Sequence, residues 1–262
     1  MNNENNNNET VEKLEQAAES LEEVTSKLKD LASIVEEKEA EVKRGEGLLN
    51  KVLAKKTFGI IGWGFFAFVA VSTIAQQIAV TLAYMLNGGR EDLSGLATYF
   101  VSFFPLYFIA FPVLLLIIKK LPKDDIGKKD IAISTLVKCF CMCITIMYIG
   151  NILGTGLSSV IGNFFGKTSN NNLAELIMNT DMVGTIIFVV ILGPIMEELV
   201  FRKILIDRTV KYGERNAMFL SALLFGLFHM NLIQGVFAFF VGILFAYIAL
   251  EYSFLWAVFF HI

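Results

Sequence analysis

Apolar residues recur in steps of three and four from Leu14 onward: Leu14, Ala17, Leu21, Val24, Leu28, Leu31 and Val35, with Glu, Lys and Ser filling the positions between. That spacing predicts a helix with one apolar stripe, able to pair as a coiled coil through residues 14–35 or to lie on a membrane surface. Lys38 interrupts the stripe, which makes a short seam the expectation. Residues 1–9 are mostly Asn and Glu, cannot bury a core, and are expected to be disordered. Beyond Phe58 the short period gives way to long apolar blocks at about 58–86, 96–118, 131–153, 182–206, 217–229 and 232–249, with a further run from Phe254. A helix needs roughly 20 apolar residues to cross hydrocarbon. The chain therefore reads as an all-α, polytopic membrane helix bundle of about seven spans. In domain terms, an Asn-rich tail (1–9) and a cytoplasmic helical segment (10–50) precede a membrane-embedded domain (57–262). The 217–229 block is short, and Gln76 and Gln77 interrupt the first.

Composition supports this and removes other classes. Hydrophobic residues make up 55% of the chain against 18% charged, with 24 Phe and a mean hydropathy of +0.60. A disordered chain, a disulfide scaffold and an ordinary cytosolic enzyme are excluded. The net charge of −3 hides a segregation, since about half of the acidic residues precede residue 57. There is no strongly basic surface of the kind that binds nucleic acid. Cys139, Cys141 and Cys143 lie two apart inside an apolar run, which suits buried helix positions better than zinc ligands on loops or a disulfide framework. No secretory signal is visible, because the first apolar run begins near Phe58.

Lys and Arg cluster before the first span (Lys51, Lys55, Lys56), between the second and third (Lys119, Lys120, Lys123, Lys128, Lys129), and around the end of the fourth (Arg202, Lys203, Arg208, Lys211, Arg215). The alternate loops carry one cation each, Arg90 and Lys167. By the positive-inside rule the N-terminus is expected in the cytoplasm, with the chain an integral multi-pass membrane protein.

Ionisable groups within spans are costly and point to function by default. Glu197, Glu198 and Arg202 fall in the fourth block; His229 closes the fifth, and His261 lies in the last run. These are the only two histidines. Lys138 sits near a span end and can snorkel. A purely structural reading stays open for each: Glu198 and Arg202, four apart on a helix, can form an ion pair without any chemistry, and a lone apolar His is often structural. The competing reading is that a carboxylate and two imidazoles activate a water, by general-base catalysis or through a metal.

Glu197-Glu198-x-x-x-Arg202, then Phe225-x-x-x-His229, then a second His in an apolar run resembles the CPBP family of intramembrane proteases, which includes type II CAAX prenyl endopeptidases and bacteriocin self-immunity proteins. The resemblance covers about 183–261. It implies that Glu197 activates the water with His229, that His261 stabilises the oxyanion or binds metal, and that Glu198 and Arg202 support them. Zinc held by Glu197, His229 and His261 is one option it leaves open; a metal-free mechanism is the other. It implies a membrane-associated or lipidated peptide as substrate, in contact with membrane lipid. Two further readings remain: an immunity protein that acts by binding, and an anchor whose N-terminal helix recruits a partner or a second copy.

The sequence departs from the family pattern in several places. The third motif asks for Asn or Asp four residues after His261, and the sequence stops one residue past it. Lys203 stands where many relatives have Gly, and the family's usual eighth span is missing. A truncated chain with an incomplete site is therefore the expectation. Contact between Glu197 and His229 is also expected, provided the fourth helix continues past Arg202 to Asp207 or beyond.

Overall fold

The computed structural model describes residues 2–90, 93, 95–126, 128–166 and 181–262, with side chains described from Ser20 onward within the first helix. The chain divides into two units, Met1–Lys56 and Thr57–Ile262. Seven helices run through the described residues: α1 (Asn2–Leu86), α2 (Gly95–Ile118), α3 (Ile133–Phe165), α4 (Met182–Tyr212), α5 (Glu214–Phe228), α6 (Leu232–Glu251) and α7 (Phe254–His261). Among the described residues there is no strand, and the protein is a polytopic helical bundle. Of the seven apolar blocks, five form helices long and apolar enough to cross a membrane: α1, α2, α3, α4 and α6. The fifth and seventh are shorter. Helix α5 has 15 residues and α7 has eight, below the length that hydrocarbon requires.

The first unit consists of α1 up to Lys56, and the rest of α1 belongs to the second. The helix begins at Asn2, so the Asn-rich stretch shares the helical backbone. Leu21, Val24, Leu28, Leu31 and Val35 are all exposed.

In the second unit, α6 packs most extensively, against α3 on one side and α5 on the other. Its core includes Phe65 and Phe68 from α1, Leu114 and Ile118 from α2, Phe201 and Leu205 from α4, Phe225 from α5, and Val241, Phe245 and Ile248 from α6. Small residues permit this closeness. A Cβ at Gly154 of α3 would lie 2.7 Å from the Ile233 carbonyl oxygen of α6. Gly226 of α5 and Gly235 of α6 face each other, a Cβ on either falling within 3 Å of the other's carbonyl oxygen. With no hydrophobic force to separate helix from lipid, such backbone approach supplies much of the packing energy.

Helix starts are set locally. The Asn231 side chain accepts from the amides of Ile233 and Gln234 to begin α6, and Ser253 accepts from the Trp256 amide to begin α7. Helix α4 continues ten residues past Arg202, to Tyr212. It is π-wound at Thr185–Leu192 and Leu199–Leu205, with an α-helical stretch, Gly193–Glu198, between. Pro194 lacks an amide hydrogen and crowds the carbonyl four residues before it, and the wider turn ahead of it relieves both problems. Arg208 closes the far end of α4 on α2, donating from Nε to the Ile118 carbonyl at 3.1 Å.

Candidate active site

The middle stretch of α4 presents Glu197 and Glu198 in succession, and α7 packs against that same stretch. Glu198 points into the protein, its side chain without solvent exposure, and Arg202, one turn on, is equally buried. Arg202 Nε stands 3.1 Å from Glu198 Oε2. The angle falls outside hydrogen-bonding range, so the attraction is between charges rather than along a bond. Arg202 Nη2 donates to the Gly242 carbonyl of α6 at 3.4 Å, and Nη1 has no acceptor among the described residues.

Aromatic rings complete the cage. The guanidinium carbon lies 4.3 Å from the Phe225 ring centroid and 5.7 Å from that of Phe245. A cation on a ring face gains more when it is desolvated, as here. Gly242 has to be small: a Cβ there would lie 3.3 Å from Arg202 Nη2 and 3.1 Å from the Phe225 ring.

His261, from α7, joins the two glutamates. Its Nδ1–H donates to Glu198 Oε1 at 2.9 Å, and its Nε2 stands 3.6 Å from Glu197 Oε2. With Nδ1–H committed to Glu198, the ring turns Nε2 toward Glu197, at an ion-pair separation too long for a hydrogen bond. Glu198 orients the ring, and Arg202 stands beside Glu198. The side chains of Glu197 and His261 each keep 20% exposure, whereas Glu198 and Arg202 keep none. The Glu197–His261 edge is therefore reachable and the Glu198–Arg202 pair behind it is dry.

His229 ends α5, at the tight link to α6. Its Nδ1 lies 2.9 Å from the Phe225 carbonyl oxygen. A carbonyl only accepts, so Nδ1 carries the proton and Nε2 is left free of that bond. His229 and His261 stand edge-on to the same Phe225 ring, at centroid distances of 4.9 and 5.8 Å. The expected direct contact with Glu197 is not made: among the described residues no hydrogen bond or ion pair joins Glu197 to His229. The partner of Glu197 is His261, because α7 rather than the end of α5 lies against this part of α4.

The three candidate metal ligands do not gather either. Among the described residues no group of three His, Cys, Asp or Glu side chains is placed to hold a metal ion. The His229 ring is tied by Nδ1 to its own helix and stands apart from Glu197. Glu197, His229 and His261 in this arrangement do not fit a zinc ion.

Tyr107, Gly242 and Phe245 shape the site beyond the motif residues, beside Phe225 of the second motif. Tyr107 is buried on the π-wound stretch of α2 (Pro105–Ala110). Its hydroxyl faces Gly193, where a Cβ would lie 3.4 Å away. A proline opening a π-wound stretch is the one sequence signal that marks its surroundings. Beside the turn that bears His229, an apolar groove of about 410 Å³ is lined by Leu223, Leu227, Met230, Val236, Phe239 and Phe240.

Residues 179–262 match the family model described as type II CAAX prenyl endopeptidase, Rce1-like, so the resemblance read from the three motifs holds at the level of the family over this segment. The match takes in α4 to α7 and all six motif residues. No curated protein and no solved structure matches the chain.

Proposed function

We propose that the segment from α4 to α7, which carries the endopeptidase family match, hydrolyses a peptide bond with a water activated by Glu197. The observation that carries this reading is the line Arg202–Glu198–His261–Glu197, in which a buried ion pair orients an imidazole against a partly exposed carboxylate. Glu197 takes the proton of the attacking water. His261, holding a proton on Nε2, donates to the oxyanion or passes that proton to the leaving amine. His229, packed on the same Phe225 ring as His261, contributes an Nε2 acceptor, and substrate and water lie between it and Glu197. Glu198 and Arg202 fix the imidazole's direction and do no bond-making themselves.

The substrate class is a lipidated or membrane-associated peptide, for which the apolar groove beside His229 offers a hydrocarbon surface. The N-terminus and the mouth of the site face the cytoplasm, in keeping with the Lys and Arg distribution. Purified protein in detergent is to be given farnesylated and unmodified peptides, with products followed by mass spectrometry. Cleavage by wild type, lost in Glu197→Gln and unaffected by a chelator, is the expected result. Equal behaviour of wild type and Glu197→Gln across a broad peptide set would leave immunity by binding, without turnover, as the better account.

A further inference from the structure

The apolar seam of the first unit does not stop at Lys38. Helix α1 runs through that point without a break, and the same alternation of three and four resumes beyond it at Val42, Gly45, Leu49 and Val52. Val42, Leu49 and Val52 are 61, 58 and 65% exposed, as open as Leu21 and Leu28 before them. Written as a heptad, Leu21, Leu28, Val35, Val42 and Leu49 occupy a, and Val24, Leu31, Lys38, Gly45 and Val52 occupy d. The seam therefore spans more than four heptads, past the length at which such repeats hold as coiled coils. Nothing else folds within this unit, so no element of its own covers the seam. A helix in water draws most of its stability from packing its apolar face.

We propose that this seam pairs with the same seam of a second copy, as a parallel, in-register, two-stranded coiled coil from Leu21 to Val52. Three features favour that occupant. Every copy is anchored through its own spans in the same direction, so two copies in one membrane offer the helix in parallel. The residue that interrupts the seam is matched by its own neighbour. In a parallel pair a d side chain packs beside the e residue of the other strand, and Lys38 at d is followed by Glu39 at e. Lys38 of each copy thus meets Glu39 of the other, twice by symmetry. Finally, an ammonium at d reaches the flank of a two-stranded coil but would be enclosed in three or more strands. Lys38 already extends toward that flank, where Nζ bonds Glu41 of its own helix at 3.0 Å. Glu41 and Glu46 would oppose each other at g and e, and the nearby Lys38 offsets that repulsion.

The test uses the full chain in native membranes and in detergent, and does not depend on peptidase activity. Single cysteines at Leu28→Cys and Leu49→Cys are expected to cross-link to their own counterparts on mild oxidation, while the outward positions Ser26→Cys and Ser33→Cys are not. Parent protein gives the background from the cysteines of α3. Native mass measurement is expected at twice the 29.2 kDa chain mass. Lys38→Glu should lower the cross-linked fraction at Leu28→Cys several-fold, and adding Glu39→Lys to the same chain should restore it, a rescue that only self-pairing allows. A monomeric mass, a trimeric mass, equal cross-linking at inward and outward positions, or Lys38→Glu without effect would each overturn the proposal. Cross-linking at Leu28→Cys with none at Leu49→Cys would overturn the extended seam.

Discussion

Arg202 is the residue on which the candidate site depends most without doing chemistry. Its side chain and that of Glu198 are both fully buried, yet their contact lacks hydrogen-bond alignment and Nη1 has no acceptor among the described residues. Desolvating two charges is expensive, and a pair this incompletely satisfied gives little net stability. Removing one partner is another matter, because it leaves the other charge buried and alone. Arg202→Met is expected to destabilise the protein by about 3–5 kcal/mol, read as a lower Tm in detergent. The double change Glu198→Gln with Arg202→Met should recover most of that loss while peptide cleavage stays low, since His261 then faces a neutral amide. Recovery of stability and activity together would mean that Glu198 does not orient the imidazole. The i, i+4 relation of Glu198 and Arg202 was legible in the sequence because one helical turn enforces it. The bond from His261 to Glu198 crosses 63 positions of chain, and no local pattern announces it.

At the scale of elements, backbone proximity places His229. The α5–α6 crossing is close because Gly226 and Gly235 carry no side chains, and His229 follows Gly226 by three residues. Gly226→Ala would push a methyl carbon to 2.7 Å from the Gly235 carbonyl oxygen, so the helices must part. The expected cost is about 1–3 kcal/mol of stability, accompanied by lower kcat for peptide cleavage as His229 shifts relative to Phe225. A variant with wild-type Tm and kcat would show that the crossing has slack. The apolar blocks revealed most of the helices, since hydrophobic length is a one-dimensional property of the chain. They did not reveal that α4 is π-wound on both sides of the glutamates, which depends on how Pro194 and neighbouring helices settle against each other.

For the molecule as a whole, the division at Lys56 separates a polar helix from an apolar bundle that holds every candidate catalytic group. Because the bundle has its own core, a chain of residues 57–262 is expected to keep its thermal transition and to cleave detergent-presented peptides at a rate close to that of the intact chain. A large fall in rate at unchanged Tm would assign the first unit a direct part in cleavage. Much was set by the order of residues alone: a helical membrane protein, the polar helix ahead of it, the Glu198–Arg202 pair, and the six motif positions. These follow from periodicity, span length and single-turn neighbourhood, which act along the chain. Only the tertiary structure decided that His261, and not His229, pairs with Glu197, that both imidazoles pack on the Phe225 ring, and that Tyr107 and Gly242 border the site. Those relations turn on ångström-scale approaches between separate helices, set by where glycines allow backbones to touch, and such distances are not written in any one segment.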